Sequence, residues 1–293
     1  MPESLLLARI LAAEIEKIHL KSGLYLVATP IGNMQDLTIR AIETLASCDV
    51  VACEDTRLSG QLFHRLGIKV KMIPYHDHNA DTQRPKIIDM IAAGNSVALI
   101  SDAGTPLISD PGYKLVRDCL EKNLYVTSLP GANAPLTALQ LSGLPSDAFT
   151  FIGFLPSKTK ARQDSLRTWK DSPSTLIVFE SAQRLVDTCQ DVLEVMGNRP
   201  MTLTRELTKK FEDIWPSDVQ TILNRLEHEG LPKGEIVLVI GRNEAKEMDK
   251  PDIDSLLVQA LKTMTVKDAV AAVVEATGMP KKEIYHKALE IKN

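Results

Sequence analysis

Asp102 stands just beyond the apolar run 97–100, within Ser-Asp-Ala-Gly-Thr-Pro-Leu-Ile-Ser-Asp-Pro-Gly (101–112). A carboxylate at the end of a buried strand can accept hydrogen bonds from a ribose hydroxyl or a cationic group. Around it, Gly104 and Gly112 permit close backbone approach or positive φ, while Pro106 and Pro111 stiffen the loop. The same residues also suit an ordinary strand-to-helix turn with aspartates as helix caps. Three further blocks set acids beside cations at the ends of apolar runs: Glu54-Asp55-Thr56-Arg57, Glu180-Ser-Ala-Gln-Arg184 and Arg205-Glu206-Leu-Thr-Lys209. Charge packed against the end of an apolar strand is unusual enough to mark, although each block can simply begin a capped or salt-bridged helix.

Small residues gather in three loops, around Gly32, Gly104 and Gly131, which together can line one crevice. Neither Gly-x-Gly-x-x-Gly nor Gly-x-x-x-x-Gly-Lys-Ser/Thr occurs, so a pyrophosphate cradle is not expected. His76 and His78 lack a third ligand at a recognisable spacing, so no metal site is predicted. Cys48, Cys53, Cys119 and Cys189 are scattered and read as reduced packing residues, which points to the cytoplasm.

These residues need strands to position them. Runs at 24–29, 48–53, 70–75, 97–100 and 124–129 alternate with helical patterns, the signature of a parallel sheet covered by helices. Asp36 is expected to cap the helix after the first loop. Residues 142–146, with Gly143 and Pro145, read as a link to a second half with strands at 149–154, 176–179, 201–204 and 234–241. The predicted organisation is an extension over 1–22 containing an amphipathic helix, α/β domains over 23–145 and 146–242, and a helical tail over 243–293 after a charged linker. At 293 residues, two cores plus an appendage match the expected size of domains.

The net charge of −4 gives no global field for a polyanion, so a nucleic-acid partner would need a local patch. One exists: Lys158, Lys160, Arg162, Arg167 and Lys170 face a single acid, Asp164, with Trp169 beside them. It is either a phosphate-binding patch with a stacking ring or a solvated helix face. No apolar run reaches the ~20 residues of a membrane span.

Taken together, Leu-Val-Ala-Thr-Pro-Ile-Gly-Asn (26–33), Cys-Glu-Asp-Thr-Arg (53–57), the 101–112 block, Pro-Gly-Ala-Asn-Ala (130–134), Phe-Glu-Ser-Ala-Gln-Arg (179–184) and Arg-Glu-Leu-Thr-Lys (205–209) resemble one family. It is the bacterial small-subunit ribosomal RNA (cytidine-2'-O)-methyltransferase I family, a branch of the tetrapyrrole methylase superfamily. The resemblance implies two α/β domains with S-adenosyl-L-methionine in the cleft between them, a homodimer, and 16S ribosomal RNA of the small ribosomal subunit as substrate. It implies donor contacts from Pro30, Gly32, Asp102, Ala103, Gly104, Thr105, Asn133, Ala134 and Phe179. Catalytic candidates are Glu54, Arg57, Glu180, Arg184, Arg205 and Glu206. The rival readings are a tetrapyrrole or other small-molecule methylase of the same fold, or a non-catalytic ribosome-binding factor.

Overall fold

A computed structural model describes residues 17–243, 253–277 and 279–292. The expected leading helix falls mainly, and the charged linker largely, outside the described residues. The chain divides into two compact units, Met1–Asn243 and Glu244–Asn293.

The first unit holds two sheets. In the first, β1 (Gly23–Val27), β2 (Val50–Cys53), β3 (Lys71–Pro74), β4 (Ser96–Ile100) and β5 (Val126–Leu129) run parallel in the order β3-β2-β4-β1-β5. Strand periodicity sends alternate residues to opposite faces. Tyr25, Val27, Val51, Cys53, Ala98 and Ile100 join one core with α1 (Ile39–Ser47) and α2 (Thr56–Leu66). Leu24, Val50, Ala52, Val97 and Leu99 join another with α3 (Ala80–Ala92) and α4 (Tyr113–Glu121). Covered on both faces, the central strands β1, β2 and β4 are apolar almost throughout, whereas the edge strands β3 and β5 carry Lys71, Thr127 and Ser128.

Asp36 does not cap α1. It lies in a 3-10 turn begun by Asn33, and Thr38 caps the helix by accepting the Ala41 amide at 3.1 Å. Thr38 is one residue from the helix, where a hydroxyl can reach an unpaired amide of the first turn.

The second sheet, in the order β6-β7-β10-β8-β9, comprises β6 (Phe149–Phe154), β7 (Thr175–Ser181), β8 (Pro200–Arg205), β9 (Asp213–Asp218) and β10 (Glu235–Ile240). Only β6 and β7 pair in parallel. Leu176, Val178, Ile236, Leu238 and Ile240 face α6 (Thr159–Trp169), α7 (Leu185–Met196) and α8 (Val219–Glu229). Ile177, Val237 and Val239 face the other way, onto α5 (Ala134–Ser142), the last helix after the first sheet. That helix seals the two halves together, and the Thr202 hydroxyl donates to the carbonyl of Ser142 at 2.9 Å.

Four buried cysteines complete these cores, and burial pushes the Cys48 and Cys189 thiols up to about 12. The second unit comprises α9 (Ile253–Leu261), α10 (Val266–Thr277) and α11 (Lys281–Lys292) around Ile253, Leu257, Val270, Val273, Ile284 and Ala288. No helix of the described residues is long and apolar enough to cross a membrane.

Candidate active site

Parallel pairing brings the carboxyl ends of β1, β2, β4 and β5 to one edge, where the crevice of an open α/β sheet forms. Their loops are tied to one another. Thr29 and Gly104 exchange backbone hydrogen bonds at 2.9 and 3.1 Å, and the Thr105 hydroxyl donates to the Ala132 carbonyl at 3.0 Å. Asn133 donates to the Thr105 hydroxyl at 3.2 Å and accepts the Leu136 amide at 3.0 Å, capping α5. Within the 101–112 loop, Leu107 and Ser109 adopt left-handed φ of 73° and 64°, a strained conformation for side-chain-bearing residues.

The loops wall a cavity of about 580 Å³ whose opposite side is the second sheet. That volume lies within the range of small-molecule sites. From the first half come Ile31, Glu54, Asp102, Ala103, Gly104, Thr105, Ser109, Asp110, Asn133 and Ala134. From the second come Phe154, Phe179, Glu180, Lys233, Glu235 and Val237. Phe151 and Phe154 stand 5.0 and 5.4 Å from the Phe179 ring, forming an aromatic wall opposite the acidic loops.

The electrostatics separate the carboxylates. Desolvation, reinforced by Asp110 and Asp102, pushes Glu54 up to about 7, although the Asp102 amide donates to it. Burial likewise raises Asp110, against a hydrogen bond from Ser101. Asp55 is drawn down to about 2 by hydrogen bonds from the Arg57 side chain and amide, as the N-cap of α2. Arg57 extends into solvent on that ion pair, outside the cavity lining.

Glu180 lies in the lining, but its carboxylate does not face the cavity side of the sheet. It follows Leu176 and Val178 in the two-residue alternation, so it points toward α7 while Phe179 points toward α5. The Thr188 hydroxyl donates to it at 2.6 Å, the Ser181 amide at 2.7 Å, and Arg184 stands 3.3 Å away. Arg184 in turn donates to the Leu155 carbonyl at 2.6 Å, fixing the chain after β6. These contacts make the pair a brace for the cavity wall.

Arg205 and Glu206 also lie outside the lining. Arg205 donates to the Lys233 carbonyl at 3.1 Å; Glu206 accepts from Lys209 at 2.8 Å and from the Glu235 amide at 3.0 Å. The Lys209 hydrogen bond holds the Glu206 carboxyl below its ordinary range. Pro30 and Gly32 are adjacent to the lining without forming it, and Gly32 is where Lys209 packs: a Cβ there would fall 2.3 Å from the Lys209 Cγ.

The basic segment also needs correction. Arg162 is 2% exposed and ion-paired with Asp191 at 2.5 Å, so it is unavailable to phosphate, and Trp169 packs against the core. Lys158, Lys160, Arg167 and Lys170 remain on the surface, Arg167 beside Asp164.

Sequence reasoning missed Asp110, Phe154 and Lys233 as lining residues. Asp110 lay within the loop already singled out, but nothing in the local pattern told it from a cap. Phe154 and Lys233 arrive through pairing between distant strands.

Comparison with known proteins places this arrangement in context. The profile of the family "Tetrapyrrole (Corrin/Porphyrin) Methylases" matches residues 23–223, and that described as "RsmI C-terminal HTH domain" matches residues 247–292. A protein of Mesorhizobium japonicum named "Ribosomal RNA small subunit methyltransferase I" is 46% identical over 281 residues, covering 96% of each chain. Its namesake from Escherichia coli O157:H7 is 44% identical, covering 91% of this chain and 94% of its own. Among solved structures, the methyltransferase CobJ superposes with a TM-score of 0.57 at 15% identity, covering 75% of this chain and 94% of that one. Uroporphyrin-III C-methyl transferase from Thermus thermophilus complexed with S-adenyl homocysteine gives a TM-score of 0.52 at 18% identity, covering 75% and 97%. Those two structures share the fold.

Proposed function

Because the chain belongs to the tetrapyrrole methylase family, and within it to the ribosomal RNA small subunit methyltransferase I proteins, we propose that it methylates 16S ribosomal RNA from S-adenosyl-L-methionine, at the ribose 2'-hydroxyl of a cytidine. The observation that carries this reading is the likeness to those relatives along nearly the whole chain.

The cavity fits a donor that carries both a cation and flat apolar parts. Glu54, Asp102 and Asp110 supply negative charge, while Ile31, Phe154, Phe179 and Val237 supply apolar surface. Asp102, Ala103, Gly104, Thr105, Asn133, Ala134 and Phe179 would hold S-adenosyl-L-methionine, which supplies an electrophilic methyl group when bound. Gly104, with φ of 83°, allows the backbone to approach closely.

This chain's own work is alignment and proton removal. The tied loops hold two reactants in one orientation, the largest contribution open to a rigid cleft in an in-line transfer. The ribose hydroxyl becomes a competent nucleophile as its proton leaves, and a base with a pKa near the working pH is best suited to take it. Glu54 meets that condition and lines the cavity, whereas Asp55 and Glu206 are committed to cations and Glu180 to Thr188 and Ser181. Glu54 is therefore our candidate base.

The phosphate-binding patch becomes Lys158, Lys160, Arg167 and Lys170, beginning four residues after the cavity-lining Phe154. We further propose that the halves act as domains over 23–145 and 146–242, that the protein is a homodimer, and that it works beside the ribosome in the cytoplasm. The test is to map 2'-O-methyl groups in 16S ribosomal RNA from cells with and without the protein, then to add purified protein and donor to unmodified small subunits. A cytidine methyl group that disappears in the deletion and returns in vitro is the expected result. An unchanged map overturns the reading.

A further inference from the structure

The connection between β8 and β9 forms a narrow knuckle at the cavity rim. Lys209 donates its amide to the Glu206 carbonyl at 3.0 Å, and Glu212 donates to the Lys209 carbonyl at 3.1 Å. Two successive turns therefore leave Lys210 and Phe211 as the central residues of the second, at its tip. Glu206 and Thr208 hold left-handed φ of 51° and 65°, and the Thr208 amide is fixed by the Glu212 carboxylate at 2.7 Å. The tip is thus built from several interlocking contacts.

Its base is anchored to both walls of the cavity. Lys209 packs on Gly32, next to the lining residue Ile31, and its ammonium bridges Glu206 and the lining residue Glu235 at 2.8 and 3.0 Å. What the tip presents is unusual: Phe211 is 64% exposed, and the Lys210 ammonium lies 5.5 Å from the centre of its ring. Lys209 is occupied by two carboxylates, whereas Lys210 and the lining residue Lys233 have no carboxylate partner among the described residues.

An exposed aromatic ring flanked by an uncommitted cation is suited to a stacked base and its phosphate. We propose that Phe211 stacks on an unpaired base of the RNA flanking the methylated nucleotide, with Lys210 and Lys233 on the adjoining phosphates. This inference rests on the RNA-methylation reading above. It assigns the knuckle a part in substrate selection.

The test compares wild type, Phe211→Ala, Phe211→Trp and Lys210→Ala on unmodified small subunits, measuring KM, kcat, donor affinity and sedimentation. Loss of one stacked base should raise KM about tenfold in Phe211→Ala with kcat and donor affinity retained, and Phe211→Trp should restore it. Lys210→Ala should reduce the slope of log affinity against log salt by about one counterion. If wild type methylates and Phe211→Ala keeps KM within twofold, the knuckle does not bind RNA and the inference falls alone. A changed oligomeric state with unchanged KM also overturns it, assigning Phe211 to a protein contact. A wild type that transfers nothing to small subunits removes the underlying reading instead.

Discussion

The carboxylate of Asp102 accepts the amide hydrogen of Asp55 at 3.2 Å, so the loop after β4 holds the loop after β2. The Asp102 amide bonds the Glu54 carboxylate in the opposite direction. One residue thus lines the cavity and fixes the position of the candidate base.

Two substitutions divide these roles. Asp102→Asn keeps an oxygen for the Asp55 amide and removes the charge, whereas Asp102→Ala removes both. Both should weaken S-adenosyl-L-methionine binding in calorimetry, Ala by about 1 to 3 kcal/mol, the scale of a hydrogen bond to a charged group. Full affinity in Asp102→Ala would take this residue out of the donor site.

A second prediction concerns Arg162 and Asp191, which are buried together at 2.5 Å. Removing one partner strands the other charge in the interior, so Arg162→Ala should cost about 3 to 5 kcal/mol in denaturant unfolding. Lys158→Glu with Lys160→Glu should leave unfolding nearly unchanged while weakening small-subunit binding and flattening its salt dependence. Equal stability of Arg162→Ala and wild type would contradict the buried-pair role.

How far the sequence was readable depends on the range of the forces involved. The central strands of the first sheet were legible because burial on both faces demands apolar runs, as at 97–100. β9 was not, because Asp213, Pro216, Ser217 and Asp218 spoil its pattern; as an edge strand it tolerates a proline. The family resemblance carried the overall fold, and the loops around Asp102 and Asn133 were visible as small-residue clusters at strand ends. Side-chain direction was not. Glu180 and Phe179, neighbours on β7, necessarily point to opposite faces, but only the packing of the sheet shows which face meets α5 and which meets α7. Arg162 looked like one cation among five, since only its packing onto α7 places it against Asp191.

The final prediction rests on Glu54. Its carboxyl is raised to about 7 by desolvation and by the charges of Asp110 and Asp102. The deprotonated form is the base, so single-turnover methyl transfer should rise with pH and level off above about 7. Asp110→Asn removes a negative neighbour and should move that midpoint to lower pH. Linkage fixes the stability effect as well: between the ordinary value of 4.5 and about 7, the folded state binds more protons at this site than the unfolded chain. This group's contribution to stability therefore declines as pH rises through that window, and Glu54→Gln should abolish that part of the slope. In transfer assays Glu54→Gln should lose about 10² to 10⁴ in rate, the usual share of a general base. Glu206→Gln and Glu180→Gln should lose less, since neither carboxylate is free to accept a proton from substrate. A Glu54→Gln enzyme within threefold of wild type, with a pH profile of unchanged shape, would leave alignment by the tied loops as the main source of catalysis.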